Sequence, residues 1–172
     1  MNTGFIKTNR ISFGVWKQTD FVEAKSLWGD PVVTRLISAS RQLSDEEVIE
    51  KLNREIKNYE EFHVQYWPFY SKEDQEFIGC CGLKPYDLKN NVYEIGCHLR
   101  KKFWKKGYAF EAAKEIIDYA FYQLNIEELF AGHNPKNKAS KRLLKKLDFC
   151  YTHNEFYKET GLNHPSYKLT KK

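Results

Sequence analysis

No stretch of the chain stays apolar for the roughly 18 residues that a membrane-crossing helix needs, and no charged-then-apolar leader opens it. The expectation is a cytosolic protein that touches no membrane. Cysteine is scarce: Cys80, Cys81, Cys97 and Cys150 have neither the CxxC spacing of a zinc site nor the density of a disulfide scaffold, and read as reduced, mostly packed thiols. His63, His133, His153 and His164 are scattered, so no metal site is expected. Repeats, low-complexity tracts and domain-dividing linkers are also missing, so residues 1–172 read as a single domain. The excess of base over acid is small. A net charge of +5 favours an anionic ligand or partner without requiring nucleic acid.

What is present is a globular composition rich in rings: 41% hydrophobic, 16% aromatic and 30% charged, which excludes disorder. Arg10 to Trp16 alternates as a strand, and Asp20 caps a short helix that buries Phe21, Ala24 and Leu27 or Trp28 before Gly29 to Pro31 ends it. Ser44 and Glu47 form a capping box ahead of Val48, Leu52, Ile56 and Tyr59, so a helix is predicted over 44–59. Two strands follow, Phe62 to Tyr70 and Glu76 to Leu83, separated by the turn Ser71 to Gln75. Asp87 to Asn91 makes a second hairpin turn before the next strand, giving an antiparallel meander. A helix from Gly107 to about Leu124 buries Ala109, Ala113, Ile116, Ala120 and Leu124 and exposes Glu111, Lys114, Glu115 and Asp118. Glu128 to His133 is then a strand reached by a parallel crossover. Lys138 to Leu147 is a helix with Ala139, Leu143 and Leu147 inward, and Phe149 to Tyr157 and Ser166 to Thr170 close the sheet. The order βααβββαβαββ predicts a mixed α/β sheet, seven-stranded and mostly antiparallel, with helices on both faces.

The stretch from Tyr93 to Ala113 organises the rest. Tyr93, Ile95, Cys97 and Leu99 fall on one face of a strand; Glu94, Gly96 and His98 fall on the other. Arg100, Lys101, Lys102, Lys105 and Lys106 crowd the following turn, Gly107 frees the backbone, and an Ala-rich helix begins at once. A helix start has N–H groups without partners and the positive end of the dipole, so this junction suits an anion such as phosphate.

These residues resemble the GNAT superfamily of N-acetyltransferases, in particular the Rim-type branch that includes ribosomal-protein N-terminal acetyltransferases. The family's phosphate-loop pattern is similar to Trp104-Lys105-Lys106-Gly107-Tyr108-Ala109, and its Asn-x-x-Ser helix to Asn137-Lys138-Ala139-Ser140 followed by Leu147-Asp148-Phe149. Asp148 replaces the usual glycine. Thr8-Asn9-Arg10 and Gly29-Asp30-Pro31-Val32 resemble the branch's N-terminal signatures, so the likeness runs from about residue 6 to the C-terminus.

The resemblance implies an acetyl-CoA site. Its pyrophosphate would rest on the N–H groups of Lys105, Lys106, Gly107, Tyr108 and Ala109, with Gly107 allowing close approach, and its pantetheine amides would pair with splayed strand backbone at Cys97 and Leu99. Asn137 would bond the pantetheine arm. Lys141 and Arg142 would contact the nucleotide end, or simply solvate a helix face. Chemistry requires a neutral amine, whereas a lysine titrates near about 10.4 and an α-amine near about 8, so a base is needed. Glu94 occupies the place of the catalytic glutamate of several relatives; its competing role is a structural carboxylate in a polar cleft. His98, on the same face, is an alternative base or relay, or a satisfied core group. Leu144 stands where many relatives carry the proton-donating tyrosine, which leaves Ser140 as donor to the CoA thiolate or as a helix cap, and the N–H of Leu99 would meet the oxyanion. No metal is called for. The implied acceptor is a primary amine, a peptide N-terminus first and a polyamine or aminoglycoside close behind, with Tyr66, Trp67, Phe69, Tyr86, Phe156 and Tyr157 as candidate lining. A silent acyl-CoA sensor and a basic RNA-associated module are the other classes; the phosphate role already accounts for the basic turn. Either a monomer or a homodimer fits.

Overall fold

The computed structural model describes residues 6–37 and 42–172. Strand β1 (Ile11–Phe13) leads to helices α1 (Phe21–Trp28), α2 (Pro31–Thr34) and α3 (Asp45–Phe62). The meander β2 (Tyr66–Ser71), β3 (Phe77–Asp87) and β4 (Val92–Leu99) follows, then α4 (Tyr108–Tyr122), β5 (Glu128–Gly132) and α5 (Lys138–Lys146). The hairpin β6 (Cys150–Tyr157) and β7 (Leu162–Thr170) ends the described chain. The seven strands form one sheet in the order β1-β2-β3-β4-β5-β7-β6. Among its pairings β4 with β5 is parallel and the rest are antiparallel, as the element order predicts.

Local chemistry accounts for the boundaries. The capping box forms: Ser44 Oγ accepts from the Glu47 N–H at 3.2 Å, and Glu47 Oε2 accepts from the Ser44 N–H at 2.7 Å. The helix runs past Tyr59 to Phe62, where His63 turns left-handed (φ 59°) and its N–H closes on the Tyr59 carbonyl at 2.9 Å. The expected strand from Phe62 therefore begins only at Tyr66. Asp20 does not cap α1; its Oδ2 accepts from the Lys17 N–H at 2.8 Å and closes the turn before it. The one-turn helix α2, absent from the predicted order, has Asp30 Oδ1 capping the Val32 N–H at 2.9 Å and Pro31 in its first turn.

The core has a layer on each face of the sheet. Under α4 and α5 lie Ile95, Leu129, Tyr167 and, fully buried, Trp67 and Phe69, which therefore line no opening. Under α1 and α3 lie Trp28, Leu27, Val48 and Leu52 against Tyr66, Phe77 and Cys80. The buried stripe of α4 is wider than predicted: Ala112, Ile117 and Phe121 join Ala113, Ile116 and Ala120, while Ala109 and Leu124 are only partly covered. On α5, Ala139 is exposed and Leu144 takes the core place beside Leu147. The apolar stripe of α3 contains a charge, because Glu55 is buried and accepts from the Tyr66 N–H at 2.7 Å. Gln65, also buried, accepts from the Trp16 N–H at 2.9 Å and donates to the Glu55 carbonyl at 3.1 Å, so the backbone groups at the start of β2 are satisfied.

Candidate functional site

Pairing between β4 and β5 covers only Val92, Tyr93 and Glu94 against Glu128, Leu129 and Phe130, although β4 continues to Leu99. The two strands splay. At the far end the Arg100 N–H donates to the Ile78 carbonyl at 3.0 Å, which sets the antiparallel alternation with β3. By that alternation the backbone groups of Glu94, Gly96 and His98 turn toward β3, and those of Ile95, Cys97 and Leu99 turn into the gap. The Leu99 carbonyl is taken by the Trp104 indole N–H at 2.9 Å, leaving its N–H.

Beyond β4 the chain makes a tight turn over Lys101–Phe103. Lys105 (φ 59°) and Gly107 (φ 82°) are both left-handed, and α4 starts at Tyr108. A Cβ on Gly107 would meet only the Arg10 guanidinium, at 3.4 Å, so glycine is required there for its φ more than for space. The first helical N–H to find a helix acceptor is that of Glu111, on the Gly107 carbonyl at 3.1 Å; those before it point out of the helix start. Not every cation of the basic turn is available to an anion. Arg100 and Lys102 are held by Glu76 at 3.2 and 2.6 Å, whereas Lys105 and Lys106 are exposed.

The loop is strapped from below by Thr8, Arg10 and Glu111, a role that the signature and the helix pattern did not show. Arg10 Nη1 donates to the Lys106 carbonyl at 3.0 Å, Arg10 Nε pairs with Glu111 at 2.6 Å, and the guanidinium lies over the Tyr108 ring at 4.3 Å. Glu111 also accepts from Thr8 and from the Arg10 N–H. These contacts hold its carboxyl below the usual range despite burial, which by itself raises it. A cleft of about 850 Å³ opens beside this strap, between Thr8, Arg10, Glu111 and Lys114, but its central groups already pair with one another.

At the other end of β4, Glu94 Oε1 is 3.3 Å from Lys84 Nζ, its cross-strand neighbour, and 3.4 Å from the Tyr66 hydroxyl. Tyr66 lies flat against Gly96, where any Cβ would come within 2.4 Å of the phenol oxygen. Burial, then the charges of Glu94 and Glu55, push the Tyr66 hydroxyl well up, so it stays a donor. His98 has its Nδ1 3.1 Å from the Trp28 indole N–H and its ring edge-on to Tyr66. Burial first, then Lys51 and Lys84, push its pKa down to about 3. It is a neutral acceptor, poorly matched to taking a proton from an ammonium ion.

On α5, Asn137 Oδ1 accepts from the Ser140 N–H at 3.1 Å, so Asn137 is the cap and Ser140 is not; the Ser140 hydroxyl has no hydrogen-bond partner among the described residues. Lys141 and Arg142 are exposed on the outer face. At the end of β5, His133 Nδ1 meets the Asn134 carbonyl at 2.7 Å and the ring stacks on Tyr167. The four cysteines are free thiols, and no group of three potential metal ligands occurs among the described residues.

A splayed parallel pair beside a left-handed loop that opens a helix is the arrangement expected of the acetyltransferases that the sequence resembles. Residues 10–150 match the acetyltransferase (GNAT) domain model. The chain is 33% identical over 143 residues to the uncharacterized N-acetyltransferase p20 of Bacillus licheniformis, covering 83% of this chain and 80% of that one. Its fold superposes on a GNAT acetyltransferase of Bacillus anthracis with TM-score 0.82 at 19% identity, over 96% and 97% of the two chains. A ribosomal L7/L12 alpha-N-protein acetyltransferase solved with coenzyme A gives TM-score 0.81 at 11% identity, over 95% of each. The chain belongs to the GNAT acetyltransferase family.

Proposed function

We propose that this chain, as a single catalytic domain, moves the acetyl group of acetyl-CoA to a primary amine, with the α-amine of a peptide as the favoured acceptor. The observation that carries the reading is the gap between β4 and β5, where the N–H and C=O of Cys97 and the N–H of Leu99 are turned into the opening and could pair with the pantetheine amides. Lys105 to Ala109 would hold the pyrophosphate on helix-start N–H groups, Asn137 would bond the pantetheine arm through its remaining amide N–H, and Arg142 would meet the nucleotide end. Glu94, directly or through one water, would take the proton from the acceptor ammonium. The amine nitrogen would attack the thioester carbon and the Leu99 N–H would meet the oxyanion; as the C–S bond breaks, the thiolate would take a proton from Ser140 Oγ, which is replaced by the proton the acylated nitrogen sheds. The likeness to the ribosomal L7/L12 acetyltransferase supports a peptide acceptor. Release of free thiol from acetyl-CoA over a panel of peptides and amines tests the assignment. Turnover with peptide N-termini is expected; tight CoA binding with no turnover on any amine would replace it with the sensor.

A further inference from the structure

The helices α1 and α3 cover β2, β3 and the far half of β4, but not the same face of β5, β7 and β6. Register puts Lys84, Tyr86, Glu94, Phe130, His164, Glu155 and Tyr157 on this face, because Glu94 pairs with Phe130, Phe130 with Lys168, and Glu155 with His164. Tyr86 stacks on Phe130 at 4.1 Å and 14°, and Tyr157 stacks on His164 at 4.4 Å and 27°. Tyr86 nevertheless stays 50% exposed and Tyr157 36%, so each ring offers a face or edge to solvent.

The charge on this face runs against the molecule's own. The chain carries +5 overall, yet Glu155 on this face makes no ion pair among the described residues, while Lys84 and Lys168 are engaged by Glu94 and Glu128. Both phenols are pushed up, by burial first and then by Glu155 and Glu94, the two carboxylates that the register puts on the same face. Rings with carboxylates beside them hold an ammonium group through the ring quadrupole and direct charge.

We infer that Tyr86, Tyr157 and Glu155 form a specificity subsite for a second positive charge, carried by the acceptor beyond its reacting amine. The inference rests on the reading of Glu94 as the acceptor end. A short diamine and a peptide with a basic residue near its N-terminus present the same chemistry, and two arms separate them. Thiol release is compared for 1,4-diaminobutane against butylamine, and for an Ala-Lys peptide against its Ala-norleucine counterpart, in the native protein and in Glu155→Gln and Tyr86→Leu. A preference of about tenfold in kcat/KM for the doubly charged member of at least one pair is expected, falling toward unity in both variants with the KM for acetyl-CoA unmoved. Equal rates within each native pair, or a preference that survives in both variants, would overturn the subsite. So would a dimer that Tyr86→Leu dissociates without changing the preference, since the face would then belong to a second copy. If no amine turns over, the catalytic reading fails separately, and calorimetric titration of the two C4 amines into the CoA-loaded protein decides the subsite, equal affinities refuting it.

Discussion

Glu94 shares its carboxylate between Lys84 and the Tyr66 hydroxyl, which hold it in place on a strand whose next residues open into the gap. Glu94→Gln keeps the shape but cannot accept a proton, so kcat should drop by about a hundredfold or more, and the alkaline rise in rate should persist as the amine deprotonates itself. A pH–rate series on the two proteins checks this. Wild-type rates in the variant would assign the base elsewhere. His98 makes a different prediction. Its folded pKa, about 3, lies below the unfolded value of about 6.5, so the unfolded chain takes up the proton first. The stability that neutral His98 contributes is complete above about pH 6.5 and declines as pH falls toward 3, by at most about 1.4 kcal/mol per unit. Urea midpoints at pH 7 and pH 5 should therefore differ more for the native chain than for His98→Gln. Sequence alternation put Glu94 and His98 on one face, but could not say which would be solvated. That was decided by Trp28, Tyr66 and Cys80, brought in from α1, β2 and β3.

The elements around the loop act as a strap and a cap. Arg10 ties the chain before β1 to the Lys106 carbonyl and to Glu111, so Arg10→Gln should raise the KM for acetyl-CoA several-fold with kcat nearly unchanged. The pair is partly exposed, so stability should fall by less than about 1 kcal/mol. Steady-state kinetics beside a urea melt checks the split. Gly107→Val forces a β-branched residue to φ 82°, costing roughly 1–3 kcal/mol locally, and should weaken the thermal shift that CoA produces; an unchanged shift would detach the loop from the cofactor. The capping box of α3 and the turn at Asp87 to Asn91 were legible because their chemistry is local. The extension of α3 to Phe62 was not, since it depends on His63 accepting a left-handed conformation that its sequence does not announce. Arg10 and Glu111 lie 101 residues apart, and no periodicity links them; Glu111 looked like an ordinary solvated position on α4.

At the scale of the whole molecule, the order of strands and helices was readable from hydrophobic period and turn chemistry, and the one parallel pairing followed from the helix between β4 and β5. The splay was not, because nothing in Ile95 to Leu99 distinguishes a strand that keeps its partner from one that loses it. Nor was the burial of Trp67 and Phe69 under α4, or the division of the α1–α3 face into a covered half and an open half on which Tyr86 and Tyr157 stay exposed. Cofactor and acceptor are thus assigned to opposite ends of one strand, and the account stands or falls on transfer between them. The most direct measurement is thiol release from acetyl-CoA with a peptide acceptor, coupled to mass analysis of the peptide. One acetyl group on the α-amine per thiol released, reduced together with CoA binding in Gly107→Val and reduced with CoA binding retained in Glu94→Gln, is the predicted result. Tight CoA binding with no acetylated product from any peptide or amine would contradict it.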